Sequence, residues 1–159
     1  CSKASKRNCC IMKKVILLSL AVCLFATACE KNKIENYKIG QLVTCNDGTK
    51  GVVFSINRNV KIVSIDEGSL LNWEKAQLWC HSYGVDWYIP TFEESNTIYA
   101  LKDYLNVTLI SNGYTPFYDG GYWTYNQDGE PYYRIEFSTG NTHTHSQSHS
   151  ANVRAVKNL

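Results

Sequence analysis

The stretch GVDWYIPTFEES, Gly84 to Ser95, constrains the fold of this 159-residue chain more than any other. Thr91 can accept from the backbone N–H groups that open a helix, and Glu94, three residues on, can reach back to close a capping box. A short aromatic strand, Trp87 to Ile89, therefore meets a helix at Pro90. The fold must alternate strand and helix at this point, and the flanking segments determine the class.

Upstream, Val52 to Ile56 and Val60 to Ile65 are β-rich apolar runs separated by Asn57-Arg58-Asn59 and preceded by an Asn-Asp-Gly turn, the pattern of a hairpin or meander. Asp66 to Ser69 turns the chain. Asn72 then caps a helix in which Trp73, Ala76, Cys80 and Tyr83 recur at helical spacing until Gly84 stops it. The helix opened by Thr91 carries Ile98, Leu101 and Leu105 on one stripe, and both stripes are expected to face a core. Downstream the pattern changes to a strand at Tyr122 to Tyr125, a turn at Asp128-Gly129, and a strand with Tyr133, Ile135 and Phe137 on one face and Arg134 and Glu136 on the other. A polar loop bearing histidines follows, and VRAVKNL closes the chain as a strand. Strands, then two helices, then strands predict an α+β domain, residues 40–159, in which two helices pack on a twisted antiparallel sheet with long irregular loops.

The first forty residues belong to a different problem. Met12 opens MKKVILLSLAVCLFATAC, with Lys13 and Lys14 as a basic region, an apolar run from Val15 to Phe25, and small residues Ala26 to Ala28. This is the pattern of an export signal over residues 12–28. Cys29 stands where bacterial lipoprotein precursors carry the acylated cysteine, and ordinary cleavage after Ala-x-Ala is the alternative. Residues 1–11 read as an upstream leader, and residues 29–39 as a polar tether. Charge supports this division. The chain carries a formal +2, but five basic residues and no acid precede Cys29, so the remainder has 11 basic and 14 acidic residues, a net of −3. No basic patch supports nucleic-acid binding. Beyond the signal and Cys29 only Cys45 and Cys80 remain; an oxidising compartment permits a bridge between them, and a buried free thiol at Cys80 is the alternative.

Several segments occur together in order: GVVF, KIVSIDEG, Trp73 with Ala76 and Cys80, Gly84 with Trp87 to Thr91 and Glu94, Tyr122 to Tyr125, and Val153 to Lys157. The set resembles a bacterial surface-protein family related to the C-terminal domain of collagen-like adhesins, whose fold is similar to C-type lectins. The resemblance implies a C-type-lectin-like fold over most of the exported part. It implies no calcium site of the animal-lectin kind: Glu130-Pro131-Tyr132 is present, but no Trp-Asn-Asp follows. The late cysteine that lectins pair with the first-helix cysteine is missing. So are the cysteines near the C-terminal end on which the formylglycine-generating branch of the fold depends.

Aromatic faces stack on the C–H faces of sugars while neighbouring amides and carboxylates bond hydroxyls, so Trp123, Tyr125, Asn126, Asp128, Glu130 and Tyr132 are the candidate ligand-binding residues. The competing reading is cross-strand packing, strongest for Trp123. His143, His145 and His149 are a weak metal candidate, because His143 and His145 would share a face of an extended strand but lie among loop-type polar residues. Glu93 and Glu94 diverge on a helix and do not make an acid–base pair. Nucleophile-elbow, phosphate-loop, zinc-helix and dinucleotide motifs do not occur. The expectation is a non-enzymatic envelope lipoprotein without cofactor, held to the membrane through Cys29, that binds glycan or a surface protein. The alternatives are a structural or accessory subunit of an envelope assembly and a histidine-metal enzyme on a lectin-like scaffold.

Overall fold

The computed structural model describes residues 36–125 and 133–159. The expected leader, export signal and lipidated Cys29 and most of the expected tether lie outside the described residues, as do Asn126, Asp128, Glu130 and Tyr132 with the expected turn at Asp128-Gly129.

The chain enters through β1 (Leu42–Thr44), turns at Cys45 to Gly48, and continues into β2 (Lys50–Ile56) and β3 (Val60–Ser64). Gly48 sits at φ 85° and donates its N–H to the Cys45 carbonyl at 3.0 Å, the left-handed position that the Asn-Asp-Gly motif requires. All three strands pair antiparallel, with a bulge between Val53 and Ser55. Val52, Phe54 and Val63 of this meander are buried in the main core.

A short strand, β4 (Gly68–Leu71), leads into α1 (Trp73–Tyr83), then α2 (Phe92–Ala100) and α3 (Lys102–Ser111). Asn72 accepts from the Lys75 N–H at 3.0 Å, as expected of the cap. The capping box at Thr91 is present: Glu94 N–H donates to Thr91 Oγ1 at 3.3 Å and Thr91 N–H to Glu94 Oε2 at 2.9 Å. The stripe Ile98, Leu101, Leu105 is divided between two helices. Leu101 has φ −99° and ψ 2°, and its N–H is shared between the Thr97 and Ile98 carbonyls, both at 3.1 Å. The bend lets Ile98 of α2 and Leu105 and Leu109 of α3 reach one core while Leu101 is left half-buried.

The remaining strands are β5 (Gly121–Thr124), β6 (Tyr133–Glu136), β7 (Thr142–Thr144), β8 (Ala151–Val153) and β9 (Val156–Asn158). The fold is α+β, and among the described residues it has three helices and two sheets where two helices and one sheet were expected. The first sheet runs β1-β2-β3-β9 and the second β4-β8-β5-β6-β7; every pairing is antiparallel except β5 with β8. Part of the expected histidine loop is β7, which pairs with β6 so that His143 faces Arg134 in register. The expected terminal strand VRAVKNL is two strands in two sheets, with Arg154 and Ala155 at the crossing.

Arg154 explains why the crossing is stable. Its side chain is 1% exposed, and it donates to the carbonyls of Ser64 (3.1 Å), Ile65 (2.9 Å), Thr115 (2.6 Å) and Pro116 (3.4 Å) and to Glu67 Oε2 (3.3 Å). Its guanidinium carbon lies 4.5 Å from the centroid of the Phe117 ring. Five acceptors on two separate segments, 64–67 and 115–116, are thus gathered by one planar donor, a use that lysine could not reproduce.

Candidate functional site

Trp73, Gln77 and His81 recur every four residues on α1, so they lie along one helix face. Opposite them runs the extended segment Tyr88 to Thr91, tied by its backbone on both sides: Tyr88 exchanges hydrogen bonds with Val156, and Tyr125 N–H donates to the Pro90 carbonyl at 2.8 Å. The Phe92 N–H donates to the Tyr125 carbonyl at 2.9 Å. Between these walls is a cleft of about 220 Å³ lined by Trp73, Gln77, His81, Tyr88, Ile89, Thr91 and Tyr125. Pro90 therefore has a second consequence beyond starting α2: its carbonyl carries Tyr125 to the mouth of the cleft.

The aromatic floor is built in layers. Trp123 is fully buried, and its indole N–H donates to the Leu71 carbonyl at 2.7 Å. Trp73 meets it edge-on at 5.5 Å and stacks with Tyr125 at 6.2 Å and an interplanar angle of 24°. Tyr125 is 42% exposed and is the outermost ring. Trp123 thus belongs to the core and supports the floor; as a direct ligand contact it is corrected by its burial. Tyr88 uses its hydroxyl internally, donating to Glu94 Oε1 at 2.9 Å. Burial and the neighbouring Glu94 carboxylate both raise its pKa, so the phenol stays protonated and its ring serves as a wall. Gln77, His81 and Thr91 bring an amide, an imidazole and a hydroxyl to the cleft, and among the described residues no carboxylate or ammonium lines it.

A shallower cleft of about 590 Å³ shares His81 and Tyr88 and continues over Gly84 to Trp87 and Asn158. Another, of about 500 Å³, lies between the β2–β3 turn and the start of α2, with Arg58, Lys61, Glu93 and Glu94 on its walls. There Lys61 Nζ is 2.6 Å from Glu94 Oε1, so the capping carboxylate is also an ion-pair partner.

Of the sequence-selected ligand residues, Tyr125 lines the cleft and Trp123 lies beneath it, while Asn126 follows Tyr125 outside the described residues. The histidines are neighbours: ring centroids of His143 and His145 are 6.4 Å apart and those of His145 and His149 5.1 Å. Burial, then Arg134 and the other two imidazoles, hold the His145 pKa below its usual value. Among the described residues, no three His, Cys, Asp or Glu side chains are grouped to hold a metal ion. Cys45 and Cys80 are both free thiols, so the possible bridge is not formed; Cys80 is fully buried on α1 and burial pushes its thiol up to about 12.

Gln77, His81 and Thr91 were not anticipated as site residues. The four-residue recurrence of Trp73, Gln77 and His81 is a signal that could have marked them, but it runs beside the core stripe of Ala76 and Cys80 and shares Trp73 with it. No protein-family model matches the chain, and no curated protein is significantly similar to it. No helix among the described residues is long and apolar enough to cross a membrane.

Proposed function

We propose that this chain is a lipid-anchored envelope protein whose C-type-lectin-like domain binds glycan without catalysing a reaction, at the cleft between α1 and the Tyr88–Thr91 segment. The observation that carries the reading is the stacked pair Trp73 and Tyr125 at the floor and mouth of a polar-rimmed hollow. A sugar ring offers an apolar C–H face to such a floor and hydroxyls to an amide, imidazole and hydroxyl rim. The absence of fixed charge on the described walls favours neutral saccharides over uronic or sialic acids.

Tyr125 is exposed, so Tyr125→Ala removes the outer ring without opening the core. Binding of the purified protein to a glycan array is expected to fall about tenfold or more for its best ligand, the loss of roughly 1.4 kcal/mol from one stacking contact. Retention of full binding in Tyr125→Ala, or no saturable binding to any neutral glycan by the parent protein, would refute the assignment.

A further inference from the structure

The outer face of helix α3 carries one exposed charge, Asp103 in its first turn, and is otherwise apolar. Tyr104, Val107 and Ile110 are 58, 66 and 61% exposed, and they follow one another at three-residue intervals along its outward side. From Tyr104 to Tyr118 no side chain is charged, and Tyr118 is itself exposed. A solvated helix normally carries charged residues opposite its buried stripe, here Leu105 and Leu109. On α1 that outer side carries Glu74 and Lys75, both exposed.

The position of this face relative to the chain's entry bears on what could cover it. Gly40, at φ 79°, accepts from Thr108 Oγ1 at 2.7 Å, and the Tyr104 ring packs so closely over it that no Cβ would fit. The N-terminal end of the domain is therefore bound to the same helix, beside the apolar face. Cys29 precedes Tyr37 by eight residues. Fully extended, those residues reach at most about 29 Å. A unit the size of Tyr37–Leu159 has a radius of gyration of about 14 Å, which for a uniform sphere is a diameter of about 36 Å, more than that reach. An acyl chain on Cys29 keeps the entry side of the domain close to the bilayer, and α3 is on that side.

We propose that the outward face of α3, formed by Tyr104, Val107 and Ile110, is the surface on which the domain rests against lipid. The inference depends on the anchoring reading above. An aromatic ring followed along the helix by two aliphatic side chains suits the boundary between headgroups and acyl chains, where tyrosine is enriched and apolar helix faces are shallowly immersed. A single short face binds weakly by itself; added to the acyl anchor, it fixes which side of the domain faces outward.

The test uses the full chain purified from membranes, with the Cys29 adduct confirmed by mass spectrometry, in vesicles of mixed zwitterionic and anionic phospholipid. Tyr104→Trp and Ile110→Trp place a reporter on α3, and Leu78→Trp places one on an exposed position of α1. With brominated acyl chains, most of the added emission of the two α3 variants is expected to be quenched, and that of Leu78→Trp to be unchanged. Lipidated protein in which neither α3 reporter is quenched would overturn the lipid assignment and leave the face to a protein partner. Protein with no adduct on Cys29 and no association with vesicles would instead refute the anchoring reading, and the inference with it.

Discussion

Glu67 and Glu94 are both buried carboxylates, yet the fold satisfies them in opposite ways. Glu94 is held by its neighbours in sequence, the Thr91 N–H and the Tyr88 hydroxyl, with Lys61 approaching from the hairpin. Glu67 is held by residues distant in the chain: Tyr122 donates to its Oε2 at 2.6 Å and Arg154 at 3.3 Å. The first arrangement starts a helix and needs little else to be folded. The second exists only when β5 and the Val153–Val156 crossing are both in place. The difference separates a charge used for local structure from one used to join two sheets.

The comparison breaks most severely at Arg154. Arg154→Met leaves Glu67 buried without its cation and frees four carbonyls, and is expected to cost about 4 kcal/mol. Urea unfolding measures this, and the double variant Glu67→Gln/Arg154→Met should recover part of the loss because the stranded charge is gone. A cost below that of the Glu94 variant would mean that the junction is not held by this pair. Glu94→Ala removes the side-chain half of the capping box and leaves the Tyr88 hydroxyl without its acceptor, an expected cost of about 2 kcal/mol in the same experiment. Glu94→Gln should be milder, since an amide oxygen can still accept from Thr91.

The smallest effects sharpen the comparison through pH. Tyr88 and Tyr122, the phenols that donate to these two carboxylates, are both raised above the ordinary value of 10.0, by burial first and then by the facing glutamate. Tyr88→Phe or Tyr122→Phe is expected to cost about 1.5 kcal/mol at neutral pH, the low end of the range for a bond to a charged acceptor. Folding holds these protons more tightly than the unfolded chain does. Their contribution is therefore complete below pH 10 and lost as pH rises towards the folded values. Cys80, whose ordinary value is 9.0, starts the decline about one pH unit earlier. Thermal melts from pH 8 to 11 should show falling stability in the parent and a shallower fall in either Phe variant.

What was legible in sequence follows the same division between local and distant partners. The Asn72 cap, the Thr91–Glu94 box, the β2–β3 hairpin and the buried face of Ile135 and Phe137 depend on residues a few positions apart, and each appears where the pattern placed it. Nothing local in the expected strand VRAVKNL marks Arg154 as a junction, because its five acceptors lie between 38 and 90 residues away. The helix break at Leu101 has no Gly or Pro to announce it and results from the two helices packing on one core. The site was half legible for the same reason. Tyr125 stood out as an aromatic strand end, but its wall across the cleft comes from α1, and only the pairing of Tyr125 with Pro90 brings the two together.

The placement of β8 and β9 bears on the order of events in the cell. Each of the two sheets needs a strand from residues 151–158, and the Arg154 junction lies between them. A nascent chain that has not yet supplied these residues cannot complete either sheet, whatever hairpins and helices it has begun. Pairings of such long sequence separation form late and slowly. A protein built this way keeps both sheets open until residues 151–158 have been made, and resists forced unfolding only once these closing strands are in place.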